Sequence, residues 1–274
     1  MSKLLKADFK RLFQDKLLMV MGIIAVAFAF VTPVLYWLLF SGGELLNDPM
    51  FSNLILAKNQ FFGAFSIGNN FGLIAPVLLA ITLYKDFSFG TVRNKVIAGH
   101  SRSAIFLSMF TVCAVILIGV MMLHAFATLG ISLVFFDYQA EPLETKDIVY
   151  FLTSLFFEVL VLLFVAALLS WLCGSMKNVG LTIVLYIAIA FALVLLGSII
   201  QTVFQVMELT GGDESTIEIL RFLDRINVGT AATRIGMGTG YTAEDVLYLT
   251  VPASVGIAGF LGLGLIRFNK KDLK

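Results

Sequence analysis

Charge is what this sequence has least of for its length. Asp, Glu, Lys and Arg make up 14% of its residues, against about 25% in a typical soluble domain. Cysteine is scarce too: Cys113 and Cys173 are the only two, each inside an apolar run and without CxxC spacing. The two histidines, His100 and His124, stand at no familiar ligand spacing from them, so disulfide scaffolds, structural zinc and haem attachment are not expected. There is no GxxxxGK[ST] and no Gly-Lys dipeptide, hence no loop to cradle a nucleotide phosphate. The polar/apolar alternation of a membrane β-barrel is missing. The first apolar run is too long for a signal-peptide core and lacks an Ala-x-Ala exit.

What the sequence does have is apolar length. Hydrophobic residues make up 59% of the chain, arranged in six continuous runs at 17–40, 67–84, 104–136, 148–173, 180–207 and 246–268. A bilayer core takes roughly 20 apolar residues per helical pass. The expected fold is therefore all-α and integral to a membrane, one transmembrane domain over 1–274 with six spans. The third run, at ~1.5 Å per residue, is ~50 Å long and must tilt or project beyond a ~30 Å core.

Lysine and arginine placement sets the orientation. With the N-terminus inside, inner segments hold 14 of the 19 basic residues and outer segments hold Lys58, Lys146, Arg221, Arg225 and Arg234. Thirteen acidic residues fall outside, and only Asp8, Asp15, Asp86 and Asp272 inside. Both termini are thus expected in the cytoplasm. Ahead of the first span, within 1–16, Leu5, Phe9, Leu12 and Phe13 recur at helical spacing beside Lys6, Lys10 and Arg11, which predicts an amphipathic helix on the inner membrane surface, in contact with lipid. The longest outer connection is 208–245. There Ser215-Thr-Ile-Glu218 has capping-box spacing and predicts a short helix starting at Ser215. The Gly-rich stretch 229–240 that follows is either a loop or a short helix dipping into the membrane.

The connection between spans two and three, 85–103, carries the most information. Asp86 precedes Gly90-Thr91; Arg93 and Lys95 follow, then Gly99, then Ser101-Arg102 at the start of span three. This predicts a short helix bracketed by glycines and presenting charge on the inner face. The same residues also fit a plain basic loop.

The order acidic residue, Gly-Thr, Arg, Gly, Ser-Arg resembles the cytoplasmic loop of ABC-2 exporter permeases. Asp86 stands where many members carry Glu. The N-terminal amphipathic helix, six-span plan, long connection before the last span and basic C-terminal end resemble that family in layout. The resemblance implies that Asp86, Gly90, Thr91, Arg93, Gly99 and Arg102 form a coupling loop seated in a separate ATPase subunit. It implies two ATPase copies, a second permease (identical or paralogous) and ATP and Mg bound by the partner. The chain itself would bind no cofactor, hydrolyse nothing and take no nucleic acid. The cytoplasmic membrane of a bacterium is the expected location, and the cargo is expected to be a peptide or another amphipathic or hydrophobic compound. Phe40-Ser-Gly-Gly-Glu44 looks like an ABC ATPase signature, but it lies at the outer end of span one and is a chance match.

Two ionisable groups lie deep in the apolar runs, His124 and Glu158, which makes them functional candidates. Counted from the turn near Pro142 they fall at similar depth on neighbouring spans. A bridging pair, a proton relay or substrate contact, and a neutral Glu158 bonded elsewhere all fit. Polar residues also gather at the outer ends of spans two and five: Ser66, Asn69 and Asn70, and Ser198, Gln201, Thr202 and Gln205. In the resembling family these helices line the dimer seam and the route out, which implies a translocation path or outer gate; ordinary interfacial polarity is the alternative. Pro76, mid-span two, favours a kink. An ion-gradient-driven transporter and a membrane anchor or sensor remain as other functional classes.

Overall fold

The computed structural model describes residues 2–40, 54–68, 70–139, 142, 144–235 and 240–271. Among these residues there are twelve helices and no strand. In chain order they are α1 (Ser2–Phe13), α2 (Lys16–Ala29), α3 (Val31–Phe40), α4 (Ala57–Gly63), α5 (Asn70–Ser88), α6 (Thr91–Ile97), α7 (Arg102–Phe135), α8 (Thr145–Ser175), α9 (Val179–Thr210), α10 (Glu214–Ile226), α11 (Val228–Arg234) and α12 (Ala243–Lys270). Six stretches are long and apolar enough to cross a membrane: α2 with α3, then α5, α7, α8, α9 and α12. These match the six apolar runs, with two adjustments. Span two starts later than Ile67, at Phe71, and runs on to Ser88. Span three is not singular in length, since its 34 residues compare with 31 in α8 and 32 in α9.

Local chemistry explains most of the helix ends. Asp15, Ser101 and Asn178 cap α2, α7 and α9 by accepting from the backbone N–H groups of Leu17, Ala104 and Leu181. Reciprocal capping boxes open α8 (Glu144 with Asp147) and α12 (Thr242 with Asp245). Proline behaves differently at two sites. Pro33 has no N–H to bond the carbonyl of Ala29, and span one breaks at Phe30 into α2 and α3. Pro76, by contrast, lies inside α5, which runs through it as one helix.

α7 and α8 form the centre of the bundle, packing on each other and together touching the other four spans. On α2, Met21, Ala25 and Ala29 recur every four residues and are fully buried, while Met19, Ile23 and Phe30 face outward. Met21 and Ala25 join a large apolar core with Leu79 of α5, Leu117 and Met121 of α7, Phe157 and Leu169 of α8 and Tyr186 of α9. A second, smaller core lies at the lysine-rich end and joins Leu4, Val92, Ile105, Phe106 and Phe268 from α1, α6, α7 and α12. That end therefore carries the start of α1 and the end of α12. The Arg102 guanidinium donates to the Asn269 and Lys271 carbonyls at 2.9 and 2.7 Å, and Lys271 donates to the Met176 carbonyl at 2.8 Å.

The amphipathic N-terminal helix is present, but its orientation corrects the expectation. Leu4, Asp8 and Leu12 are its buried positions, Leu5 and Phe9 are half-buried, and Phe13 is exposed. The stripe turned inward thus packs on protein and carries a carboxylate at its centre.

Candidate functional site

The connection between spans two and three folds as a glycine-bracketed helix. Gly90 has φ 66° and Gly99 φ 87°, a left-handed backbone that side chains resist. Between them α6 makes two turns, and Ser101 then starts α7. Thr91 opens α6 half-buried, and Val92 inserts into the smaller core.

Asp86 and Lys95 do not present charge outward, which corrects the expectation for this loop. Lys95 Nζ lies 2.6 Å from Asp8 Oδ1 and 3.2 Å from Asp86 Oδ2. Arg11 pairs with the other oxygen of Asp86. Asp8 also accepts from the Ser108 hydroxyl on α7 at 2.7 Å. One buried network therefore ties α1, α5, α6 and α7 together. Burial pulls the Lys95 ammonium below its usual pKa, and Asp8 opposes that shift. Burial likewise lowers Arg11 against the pull of Asp8 and Asp15. A parallel pair fixes the neighbouring turn, where Lys85 holds both Asp15 oxygens at 2.8 and 2.6 Å. Burial works against ionisation of Asp15, but the Lys85 hydrogen bond and charge hold its carboxyl below the usual range. Every described acidic residue at this end is thus paired with a base; Asp272 lies outside the described residues.

With those charges turned inward, a different surface faces out. Phe89 is 77% exposed and Ile97 73%, an apolar pair at either end of α6, with Arg93, Asn94 and Gly99 exposed beside them. Arg102 is committed to the C-terminal carbonyls and is half-buried. Sequence reasoning missed Asp8, Arg11, Ser108, Phe89 and Ile97. The spacing Leu4, Asp8, Leu12 was the available signal, because a carboxylate in the middle of an apolar stripe needs a cation.

The opposite end is closed by two short segments that turn back into the bundle. In the first connection, α4 buries Ala57, Phe61 and Phe62, with Phe65 just beyond. Phe61 stacks on Phe151 at 5.2 Å and tilts against Phe126 at 5.2 Å. Gln60 accepts from the Ser132 hydroxyl at 2.8 Å. In the last connection α10 starts at Glu214, capped by Asp213 and not by Ser215, whose hydroxyl donates to the same carboxylate. Then α11 buries Val228, Ala231 and Ile235 and packs against α4, α8 and α9. It answers the alternatives for 229–240 with a short helix over Val228–Arg234; residues 236–239 lie outside the described set. The Asn227 side chain donates to the Leu193 carbonyl at 2.8 Å. A Cβ at Gly197 would overlap Thr230, and one at Gly229 would stand 2.9 Å from the Leu193 carbonyl carbon.

Among the described residues, the polar side chains of spans two and five do not converge within the chain. Ser66 is buried ahead of α5 and accepts from the Gly68 N–H at 3.3 Å. Ser198, Gln201, Thr202 and Gln205 lie on the exposed face of α9. Gly68 does adjoin Val194, so the two elements meet while their polar side chains do not. Asn69 lies outside the described residues, and Asn70 is the first residue of α5. His124 and Glu158 do not pair either. His124 Nδ1 lies 2.9 Å from the Ala25 carbonyl and its ring meets Phe71 at 4.7 Å, while neither Glu158 oxygen has a hydrogen-bond partner among the described residues.

Among the described residues no group of three or more His, Cys, Asp or Glu side chains is placed to hold a metal. A comparison with curated proteins finds no match. Residues 64–274 match a family profile, and those residues include the whole of α5 to α12 and the glycine-bracketed α6. The chain belongs to the family described as "Protein of unknown function (DUF2705)".

Proposed function

We propose that this chain is the membrane-spanning permease half of an ATP-driven exporter of the ABC-2 kind, with α6 as the segment a separate ATPase subunit grips. In that arrangement both termini and α6 face the cytoplasm, two permeases pair, and two ATPases bind ATP and Mg. The supporting observation is the form of α6. It is braced from within by Val92 and the Asp8–Lys95–Asp86 network while Phe89, Arg93 and Ile97 stand clear of the fold. A force transmitter needs both a rigid mount and an open contact face. Apolar residues flanking an arginine suit a partner groove, since aromatic, aliphatic and Arg anchors in desolvated pockets dominate such contacts. The long apolar spans fit an amphipathic or hydrophobic cargo, such as a peptide.

Co-purification from host membranes tests this reading. The wild-type chain is expected to bring down a subunit that photolabels with an azido-ATP probe. Phe89→Asp with Arg93→Glu is expected to lose that subunit while the chain still elutes as a folded species. A wild-type preparation without any ATP-labelled subunit sinks the proposal.

A further inference from the structure

The coupling reading leaves a buried carboxyl unused. Glu158 has no exposed surface, and neither of its oxygens has a hydrogen-bond partner among the described residues. An ionised carboxylate in such a place loses its hydration with no cation or donor in return, whereas a neutral carboxylic acid loses far less.

A file of hydroxyls leads toward this carboxyl from the end of the bundle away from α6. One turn earlier on α8 is Ser154, equally buried, whose hydroxyl lies 2.7 Å from that of Tyr241, and either oxygen can be the donor. Residues four apart share a helix face, with Cβ atoms roughly 5–6 Å from each other. Tyr241, in turn, helps line a cavity of about 210 Å³ together with Tyr150, Arg225, Arg234 and Asp245. The Tyr241 ring is stacked on Tyr150 at 4.9 Å and edge-on to Phe157 at 5.0 Å, so the hydroxyl is held in place over Ser154.

The titratable and charged groups on the elements packed around α8 are occupied elsewhere or stand at the bundle ends. On α7, His124 meets the Ala25 carbonyl and Cys113 the Ala166 carbonyl. Tyr186 of α9 donates to the Gly72 carbonyl, and Arg234 of α11 to those of Arg225 and Asn227. Asp245 of α12 caps its own helix with Thr242. The remaining charged groups of α5, α7 and α12 are at helix ends, Lys85, Asp86, Arg102, Arg267 and Lys270 at the end near α6 and Glu244 at the other.

We propose that Glu158 is a proton-binding site, filled and emptied from the end opposite α6 through Tyr241 and Ser154. In one exchange the Glu158 side chain turns across the one-turn gap to Ser154 and gives its proton to the Ser154 oxygen as the Ser154 hydroxyl proton passes to Tyr241. The Tyr241 hydroxyl proton then leaves to water in the cavity, so both hydroxyls end neutral. Reloading reverses each transfer. Nothing in this exchange needs the ATPase, so it is measured on the isolated chain and stands or falls apart from the coupling proposal.

Infrared spectroscopy of the purified chain in lipid tests the site. The wild type at neutral pH is expected to show a protonated-carboxyl C=O band that Glu158→Gln removes. In D₂O that band shifts as the proton exchanges. Tyr241→Phe and Ser154→Ala are each expected to slow the shift by about tenfold, a barrier rise of about 1.4 kcal/mol. If Glu158→Gln does not assemble, isotope-labelled glutamate assigns the band in the wild type, and the two hydroxyl variants still decide the path. No protonated-carboxyl band in the wild type, or equal exchange rates in both hydroxyl variants and the wild type, overturns the proposal.

Discussion

Lys95 answers two carboxylates at once, Asp8 on one helix and Asp86 on another, in a place where both are nearly buried. Removing it leaves two desolvated negative charges with Arg11 alone to balance them. Breaking a buried pair from one side costs about 3–5 kcal/mol, because the partner charge stays behind uncompensated. Lys95→Met is therefore expected to lower stability by about that amount. Adding Asp8→Asn to it should restore part of the loss, since one of the stranded charges is then neutral. Thermal unfolding of the detergent-solubilised chain and its variants measures both steps. An unchanged midpoint in Lys95→Met would show that the network contributes nothing.

Helices in this fold come together closest where glycine removes a side chain. Gly264 of α12 lies against the Phe106 ring, which a Cβ would overlap, and that ring is fully buried and tilted against Phe268 at 5.7 Å. The ring cannot swing aside, because Gly174 approaches it from α8. Gly264→Ala gains roughly 1 kcal/mol of helix propensity, but overpacking a filled core typically costs about 1–3 kcal/mol. The net effect is expected to be a loss, and Phe106→Leu in the same chain should recover it. A thermal shift of the single and double variants checks the coupling between the two sites.

At this scale the sequence was readable wherever a backbone rule acts alone. Hydropathy placed the six spans, and the two glycines placed α6, because positive φ is a local demand. Ser101 was read correctly as the start of α7 for the same reason. Other features depend on partners far along the chain, which periodicity does not carry. Asp86 reads as surface charge until Arg11 and Lys95 fold onto it. Ser215 looked like the cap of α10 until Asp213, two residues earlier, took the Thr216 N–H. The segment α4 was missed because its buried aromatics, Phe61 and Phe62, sit in a stretch too short to cross a membrane. The His124–Glu158 pair failed because similar depth on neighbouring helices does not fix which way two side chains turn.

Over the whole molecule the faces of the spans are used unevenly. α7 and α8 bury more than half of their spans, while α9 buries little of its surface and carries four polar residues on the open side. Ser198 and Thr202 return their hydroxyls to the Val194 and Ser198 carbonyls, but the Gln201 and Gln205 amides have no partner among the described residues. Amides facing lipid favour a second helix to bond, at about 1–2 kcal/mol each in model peptides. In the proposed pairing of permeases this strip meets its counterpart. Gln201→Cys in a chain whose two buried native cysteines are replaced is expected to form a disulfide between copies in membranes, whereas Leu152→Cys on α8 is not. Monomers only, under mild oxidation, would place the seam elsewhere.

The clearance between α9 and α11 has a mechanical consequence. Gly197 and Gly229 bring the two so close that no methyl group fits between them, and Asn227 clips the contact to the α9 backbone. Two parts meshed that tightly do not slide; they turn together, as a pawl turns with its wheel. Any rotation of α9 therefore carries α11 with it, and α11 is part of what stoppers the end of the bundle opposite α6. In the proposed exporter, a twist applied at the α6 end would reach the other end of the bundle as the lifting of a lid.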